Sequence, residues 1–309
     1  MYYLDKILLN KGIKRLNPDE VSISLLGKQR KEKASLVNQK IFDAIISGEP
    51  FLVGRFGANE LSMMKTIEFD IKNKYPVCTE MMHTNAGFFP NDTEMIKGFL
   101  PLMHDFCREC DVLGTWNQPF EGYFIDKYMK KDVVLTSLEC LEPWYYPKSP
   151  WSAALEGKKV LVIHPFVESI TEQYKKRISI YPNTNILPEF ELKTFKAVQT
   201  IAGNIDDRFQ NWYEALHWMY EQVMKIDFDI AILGCGAYGA PLATKIKKSG
   251  KQAIHLGGAT QILFGIIGQR WLSNDFYSYV RDFINSSWVH PCLSECVSHR
   301  EKVENSCYW

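Results

Sequence analysis

One segment constrains the fold more than any other, because it has the order strand, glycine-rich turn, helix, strand. The apolar run DIAIL at 229–233 precedes the turn GCGAYG at 234–239, and QAIHL at 252–256 follows a helical pattern that Gly250 ends. Two strands joined through a helix run parallel, since the helix returns the chain to the edge where the first strand began. Parallel sheets carry helices on both faces, so this segment predicts an α/β protein.

Other segments continue the same alternation. Patterns typical of strands occur at 51–54, 112–116, 133–138 and 158–163, and patterns typical of helices at 36–46, 60–65, 120–129, 169–177 and 209–225. The predicted fold class is α/β, with a Rossmann-like parallel sheet flanked by helices and a helical N-terminal segment. The Pro- and aromatic-rich run at 141–151 marks a boundary. We expect three parts: a helical segment at 1–50, a first α/β half at 51–150, and a Rossmann-like nucleotide-binding half with a C-terminal tail at 151–309.

The charge balance argues against nucleic acid as the partner. The 309 residues include 36 Lys+Arg and 36 Asp+Glu, so the chain lacks the overall basic field that nucleic-acid binding requires. Asp5 and Lys6 interrupt what would be the apolar core of a signal peptide, and no apolar run reaches the roughly 18 residues that span a bilayer. We therefore expect a cytoplasmic protein. Early basic residues are expected to form a solvated helix face, or alternatively to contact the inner membrane surface; they are Lys11, Lys14, Arg15, Lys28, Arg30, Lys31 and Lys33.

The eight cysteines indicate reduced thiols, since no export signal accompanies them. Cys107 and Cys110 form a C-x-x-C pair that closes a predicted helix from near residue 92, whereas redox pairs open a helix. A tail array has irregular spacing for zinc, and we interpret it as a surface turn; its residues are His290, Cys292, Cys296 and His299.

The glycine turn at 234–239 is a candidate phosphate site. Gly234, Gly236 and Gly239 follow an apolar strand and open a helix, where backbone N–H groups and the helix dipole favour an anion. A dinucleotide enzyme places Asp or Glu about 20 residues further on, but His255 lies there. The pattern favours a nucleotide or phosphate turn without an NAD signature. The alternative is that the glycines only allow close packing of helix on sheet.

The run RFGANE at 55–60 is the second candidate, at the end of the first predicted strand. Arg55 suits a bidentate contact with phosphate, and Glu60 suits a divalent cation or general base catalysis. The alternative is a helix N-terminal Glu60 paired with Arg55. His164, at the end of its own strand, is a third candidate for ligand contact, or a hydrogen-bonded turn residue.

Four motifs carry a resemblance to a known family. They are VGRFGANEL near residue 55, LEPWYY…PWSAALEGKKVLVIHPF through 166, ILGCGAYGAPLATKIKKSGKQAIHLGG near 240, and KVENSCYW at the end. With them the chain resembles bacterial glycosyltransferases of the GT-D fold, the family first defined as DUF1792, over most of 50–309. The resemblance implies transfer of a sugar from a UDP-sugar donor to a glycan or lipid-linked glycan acceptor in surface polysaccharide biosynthesis.

The resemblance also implies roles for particular residues. In the family an Asp-x-Glu pair holds a divalent cation, Mn²⁺ or Mg²⁺, at the donor diphosphate, and Ala58 replaces that Asp here. Either Glu60 binds the metal with water or another side chain, or Arg55 and the glycine turn alone hold the diphosphate. The catalytic candidates are Glu60 and His164. The nucleotide-binding candidates are Arg55, Phe56, Gly57, Asn59, Gly234, Gly236, Ala237, Tyr238 and Gly239. A C-terminal tail folded over the acceptor, together with the aromatic boundary run, gives the acceptor-side candidates Trp144, Tyr145, Glu304 and Trp309, and deletion of 301–309 is expected to reduce activity.

Two other functions fit the same residues. A Rossmann-type methyltransferase or dehydrogenase would use the glycine turn, although the missing acid at His255 weighs against both. A non-catalytic nucleotide-binding subunit of a polysaccharide-assembly complex would explain Ala58 as the trace of a lost metal site.

Overall fold

A computed structural model of the chain describes residues 25–26, 29–30 and 32–309, except 274. A two-stranded antiparallel ladder pairs β1 (Leu25–Leu26) with β2 (Gln29–Arg30). Seven further strands form one sheet, in which every neighbouring pair is parallel. They are β3 (Phe51–Arg55), β4 (Val112–Thr115), β5 (Val134–Ser137), β6 (Lys159–His164), β7 (Glu191–Lys196), β8 (Ile230–Leu233) and β9 (Gln252–His255). The order β5-β4-β3-β9-β8-β6-β7 confirms the predicted Rossmann-like α/β class.

Helices cover both faces of this sheet. The α-helices are α1 (Ala34–Ser47), α2 (Ala58–Glu68), α3 (Tyr75–Ala86), α4 (Phe99–Glu109), α5 (Glu121–Tyr128), α6 (Val167–Tyr174), α7 (Arg177–Ile180), α8 (Trp212–Val223), α9 (Gly239–Lys248), α10 (Ala259–Leu263) and α11 (Gln269–Ser273). Side chains of α2, α3, α4, α5, α8 and α9 bury one apolar cluster, and those of α1, α6 and α10 bury a second.

Alternation along the strands produces these two clusters. Leu161 and Ile163 belong to the first, whereas Val160 and Val162 belong to the second. Successive strand side chains point to opposite faces, so a strand buried on both sides is a continuous apolar run. This explains why the central strands were predictable from sequence.

The edge strand β7 was not predicted. Its sequence ELKTFK mixes charged and apolar residues, and both of its ends are exposed. An edge strand in an α/β sheet tolerates polar side chains, so its pattern resembles that of a loop. The predicted helix from residue 92 is a 3₁₀ turn (Met95–Gly98) followed by α4. The helix predicted at 36–46 is confirmed as α1.

The boundary run at 141–151 contains short 3₁₀ turns and lies partly in the core. Trp144 and Trp151 are both buried in the second cluster. The strands before and after this run share one sheet, in which β3 pairs directly with β9. The two halves at 51–150 and 151–309 therefore supply adjacent sets of strands to a single sheet: β3 to β5 come from the first half and β6 to β9 from the second.

The strand order opens a crevice at the carboxyl ends of the central strands. Strands β6 and β8 are neighbours in the sheet. The strand after β6 in the chain, β7, lies on the far side of β6, whereas the strand after β8, β9, lies on the far side of β8. Ligands of open α/β sheets bind outside the carboxyl ends at such a reversal, because the loops there separate.

No described helix is long and apolar enough to cross a membrane. Of the early basic residues proposed to contact a membrane surface, Lys11, Lys14, Arg15, Lys28 and Lys31 lie outside the described residues.

We expect Trp212→Ala to destabilise the fold by about 3–5 kcal/mol, because it would leave a cavity between two packed elements. The Trp212 ring is fully buried and stacks on Phe88 and Tyr238, at centroid distances of 5.4 and 4.8 Å. Urea unfolding measures the loss. Ile178→Ala is the control, since this side chain is 73% exposed, and we expect a change below about 0.5 kcal/mol. Equal effects of the two substitutions would contradict the packing argument.

Candidate functional site

A single cleft lies at the carboxyl ends of β3, β6, β8 and β9. It encloses about 1020 Å³ of empty space, its open mouth included. The turns after these strands form its floor, the segments 85–87 and 198–201 form one wall, and α10 with the C-terminal tail forms another. Its polar lining residues are Arg55, Asn59, Glu60, Asn85, His164, Gln199, Thr200, Tyr238, His255, Gln261, Arg270, Glu304 and Tyr308.

Arg55, the last residue of β3, places a free cation in this cleft. Its guanidinium lies over the Trp116 ring, 4.9 Å from the centroid, and the Trp116 Nε1–H donates to the Phe56 carbonyl at 2.9 Å. Among the described residues, no carboxylate lies within 4.0 Å of this guanidinium and no acceptor receives a hydrogen bond from it. A partly buried guanidinium with all its donors open is suited to a bidentate anion such as phosphate.

Glu60 folds back over Gly57 at the start of α2. A Cβ built on Gly57 would lie 1.7 Å from the Glu60 Oε2, so only glycine leaves room for this carboxylate position. Burial raises the pKa of the Glu60 carboxyl above its usual value, and the positive charge of Arg55 opposes part of the rise. The R-F-G-x-x-E spacing therefore has a steric cause. Gly57 has no side chain, and this leaves room for the carboxylate of Glu60, about one helical turn later, to fold back over it.

The glycine turn after β8 lies against the segment that ends α3. Gly236 has φ +57°, a backbone conformation that favours glycine, and a Cβ there would lie 2.7 Å from the Ala86 carbonyl oxygen. Both the backbone conformation and this close contact disfavour a larger residue. No acceptor for the N–H groups of Cys235 or Gly236 is found in the described part of the chain. Both residues line the cleft, and their open donors are suited to an anion.

His164 is a neutral hydrogen-bond donor at this site. Its Nδ1 accepts the Phe166 N–H at 3.0 Å, so the ring proton lies on Nε2. Burial lowers the pKa of His164 to about 3. The ring thus stays uncharged at neutral pH and offers Nε2–H as a donor, which excludes a general base role for this nitrogen in the structure.

The turn after β6 is closed to anions by the protein itself. The Glu295 carboxylate, from the C-terminal tail, accepts the Glu168 N–H at 2.7 Å and the Ser169 N–H at the start of α6. It also accepts the Ser169 hydroxyl. A carboxylate at a helix N-terminus satisfies the same donors that a phosphate would. The N–H groups at the start of α6 are therefore unavailable to a ligand anion.

The C-terminal tail forms the remaining wall. Arg270 of α11 donates to the Glu304 Oε2 at 2.6 Å, and its guanidinium lies over the Tyr308 ring. The Trp309 carbonyl accepts the Gln269 N–H at 3.1 Å, which fixes the end of the chain. The tail thus lies against the cleft, and its predicted position over the acceptor stays a prediction. Residues 303, 307 and 309 are also buried core, so deletion of 301–309 would disturb the fold as well as the site.

The structure brings together most of the residues proposed from sequence. Those that line the cleft are Arg55, Gly57, Asn59, Glu60, His164, Gly234, Gly236, Tyr238 and Glu304. The proposed donor-binding residues Phe56, Ala237 and Gly239 do not line it. Phe56 packs in the core against Phe106, 5.6 Å between centroids, and Gly239 instead makes room for the His255 ring. Their predicted ligand contacts are therefore replaced by packing.

The proposed acceptor-side aromatics also lie elsewhere. Trp144 is buried in the second cluster, and the Tyr145 ring packs on the Tyr279 ring, 4.3 Å between centroids. Trp309 does not line the cleft and packs on Phe166, which does. Sequence reasoning missed other polar and aromatic lining residues, which include Asn85, Trp116, Gln199, Thr200, His255, Gln261 and Arg270. His255 is the last residue of β9, at the same edge as Arg55, so its strand-end position was a usable signal. The others come from loops and helices whose approach is decided by packing.

The described residues do not provide a metal site of their own. No group of three or more His, Cys, Asp and Glu side chains suited to a metal ion occurs among them. Glu60 and Glu304 are close enough to interact electrostatically, but Ala58 offers no third carboxylate. The tail array gives no such group either. Cys107 and Cys110 are buried thiols whose pKa is raised by burial, to about 12 for Cys107, so thiolate chemistry is disfavoured there.

Comparison with known proteins gave one structural likeness. No protein-family model matches the chain, and no curated protein matches it. Among solved structures, the chain is similar to the selenomethionine-substituted structure of a domain of unknown function, DUF1792. The identity is 11%, the TM-score is 0.45, and the match covers 83% of this chain and 90% of that chain.

Glu295→Ala should cost about 1–3 kcal/mol of stability, because the first N–H groups of α6 would lose their only acceptor among the described residues. Chemical denaturation of the purified protein measures this. Glu301→Ala serves as the matched control, since Glu301 lies in the same tail with a largely exposed side chain. An unchanged midpoint for Glu295→Ala would show that the tail contact does not stabilise the fold.

Proposed function

We propose that this protein is a glycosyltransferase that moves a sugar from a nucleotide sugar, specifically a UDP-sugar, to a glycan or lipid-linked glycan acceptor. The observation that carries the proposal is the open guanidinium of Arg55 in the same cleft as the N–H groups of Cys235 and Gly236, which have no acceptor among the described residues. The resemblance of the sequence motifs to GT-D glycosyltransferases supports the same choice. A cytoplasmic enzyme acting in surface polysaccharide synthesis at the inner membrane face would fit this acceptor.

A nucleotide sugar suits the cleft because its charged diphosphate lies in the middle of the molecule. The diphosphate would bind between Arg55, the turn after β8 and the start of α2, where Gly57 and Asn59 line the cleft. The N-terminus of an 11-residue helix adds a favourable dipole there. Arg55 and the open N–H groups of the turn after β8 favour an anion, whereas the donors at the start of α6 are already occupied by Glu295.

The two walls suit the two neutral ends of such a donor. One wall carries Asn85 and Gln199, whose carboxamides make no hydrogen bond to any described residue and match the donor–acceptor edge of a uracil base. The other wall carries Arg270, Glu304 and Tyr308, a polar and aromatic surface that matches a sugar with many hydroxyls. We therefore place the base at the first wall and the transferred sugar at the second.

The proposed reaction forms a bond between the acceptor oxygen and the anomeric carbon, and breaks the bond from that carbon to the β-phosphate oxygen. The electron pair of the broken bond leaves with UDP, and the acceptor proton passes to a base. Arg55 and the His164 Nε2–H would stabilise the departing diphosphate. Glu60 is the proposed base, because its carboxylate makes no salt bridge in the described chain, whereas Glu304 is paired with Arg270.

A Mn²⁺ or Mg²⁺ ion at the diphosphate remains part of the proposal only with Glu60 as the protein ligand and phosphate oxygens as the others. The described side chains do not form a complete ligand set, so no reaction step depends on the ion.

The incomplete set of metal ligands also favours a second candidate function. With Ala58 at the position of a carboxylate, a non-catalytic nucleotide-binding subunit would bind UDP without turning over a UDP-sugar.

Replacing Arg55 with Ala should weaken UDP binding roughly 10- to 100-fold, because a bidentate charge-assisted contact is lost. Isothermal titration with UDP, with and without Mn²⁺, measures it. Arg108→Ala is the control, since that side chain is exposed and pairs with Asp105. Dependence of the affinity on Mn²⁺ would assign an ion to Glu60. Failure of the native protein to bind UDP under both conditions would sink the nucleotide-sugar proposal.

We expect Glu60→Gln to gain stability over the native protein as the pH rises. A carboxyl whose pKa is raised in the folded state contributes stability that is fully present below its unfolded value, near 4.5, and is lost as the pH rises through the folded value. Glutamine does not titrate. Urea unfolding of both proteins at a series of pH values from 4 upwards gives the difference directly. A difference that stays constant with pH would show that Glu60 is not held in a desolvated position.

A further inference from the structure

We infer that Trp116 is a positioning residue, which holds the Arg55 guanidinium in place for the donor diphosphate before the ligand binds. This inference rests on the proposed function, because it takes the ligand of the cleft to be a nucleotide sugar. Trp116 follows β4 directly, is partly exposed, and lines the cleft together with Arg55. The residue is thus accessible in the cleft where the diphosphate is proposed to bind.

The Trp116 ring is the contact that restrains the Arg55 guanidinium, which makes no ion pair and donates no hydrogen bond within the described chain. The Arg55 Cζ lies 4.9 Å from the ring centroid, within the range of a cation–π contact. An arginine without such a contact samples several rotamers, and ordering it on binding costs affinity. The ring supplies no acceptor oxygen, so the guanidinium N–H groups remain available to phosphate.

Trp116 is itself held at two points. Its Nε1–H donates to the Phe56 carbonyl at 2.9 Å, which ties the ring to the residue that follows Arg55. Its backbone N–H donates to the Glu121 carboxylate at 3.2 Å, and the Gln118 N–H donates to the same carboxylate at 3.3 Å. Glu121 is 0% exposed, so this carboxylate is an internal anchor of the loop. The ring is therefore a fixed surface for a side chain that would otherwise move.

A different role for Trp116 would be direct stacking on the base of the nucleotide. The two roles differ in their dependence on Arg55. A ring that acts through Arg55 has no effect on the ligand once Arg55 is removed, whereas a ring that contacts the base keeps its effect. A double-mutant cycle therefore separates them.

The experiment measures UDP affinity by isothermal titration for Trp116→Leu, both in the native chain and in Arg55→Ala. We expect Trp116→Leu to weaken UDP binding roughly 3- to 10-fold in the native chain and by less than about twofold in Arg55→Ala. Trp218→Leu is the matched control, because the Arg208 Cζ lies 4.7 Å from its ring centroid and Trp218 does not line the cleft. This control should leave UDP affinity within about twofold of the native value. Unchanged affinity in Trp116→Leu, or an equal loss in both backgrounds, would overturn the inference.

A measurement on the native protein covers the case in which Trp116→Leu does not fold. Relaxation of ¹⁵N at the Arg55 Nε reports the mobility of this side chain, and its signal is the one that Arg55→Lys removes. We expect an order parameter near that of rigid backbone, about 0.85, both without UDP and with it. A value below about 0.6 without UDP would show a mobile guanidinium, and the inference would then be wrong. A native protein that does not bind UDP would instead remove the proposed function, so the two failures are distinguishable.

Discussion

The functional geometry depends on the burial of a parallel sheet on both faces. Apolar side chains alternate between two helix layers along β6 and β8, so both faces must be covered by helices. Because helical crossovers join the strands, the strands run parallel and their carboxyl ends lie at one edge. Every turn that follows a central strand therefore reaches the same crevice. Arg55, His164, Gly234 and His255 come from four separated parts of the chain and meet there only because hydrophobic burial has aligned their strands.

Charges in this crevice are arranged at a cost to stability. Arg55 has no carboxylate partner within salt-bridge distance among the described residues, and Glu60 is partly buried, which raises the pKa of its carboxyl. Both groups would be better satisfied in water. Such arrangements are typical of binding and catalytic sites, where the missing partner is supplied by the ligand. Glu295 shows the contrast, because its carboxylate is satisfied at the start of α6 and is unavailable to a ligand.

The C-terminal tail belongs to the site and to the core at once. Val303, Cys307 and Trp309 are buried in the core. Glu304 and Tyr308, which alternate with them along the tail, line the cleft. The Tyr308 carbonyl orients Gln261, and the Trp309 Nε1–H donates to the Glu295 carbonyl at 3.3 Å. The same segment thus closes one anion-binding turn and shapes the wall beside the others. Its aromatic and polar composition, unusual for an exposed tail, has this packing as its physical explanation.

The α/β class, the central strands and the two candidate anion-binding turns could be predicted from the sequence, because these predictions depend on local signals. Apolar runs of strand length, glycines at fixed spacing, and Arg55 and Glu60 at the end of a strand are all readable from neighbours in the chain. The edge strand β7 was not readable, since its polar pattern matches a loop. Only the tertiary structure decided that Phe56 and Trp144 are core, that Glu295 fills the turn after β6, and that Gln261 and Tyr308 complete the cleft. These outcomes depend on contacts between residues more than 40 positions apart, which side-chain packing selects and no local pattern records.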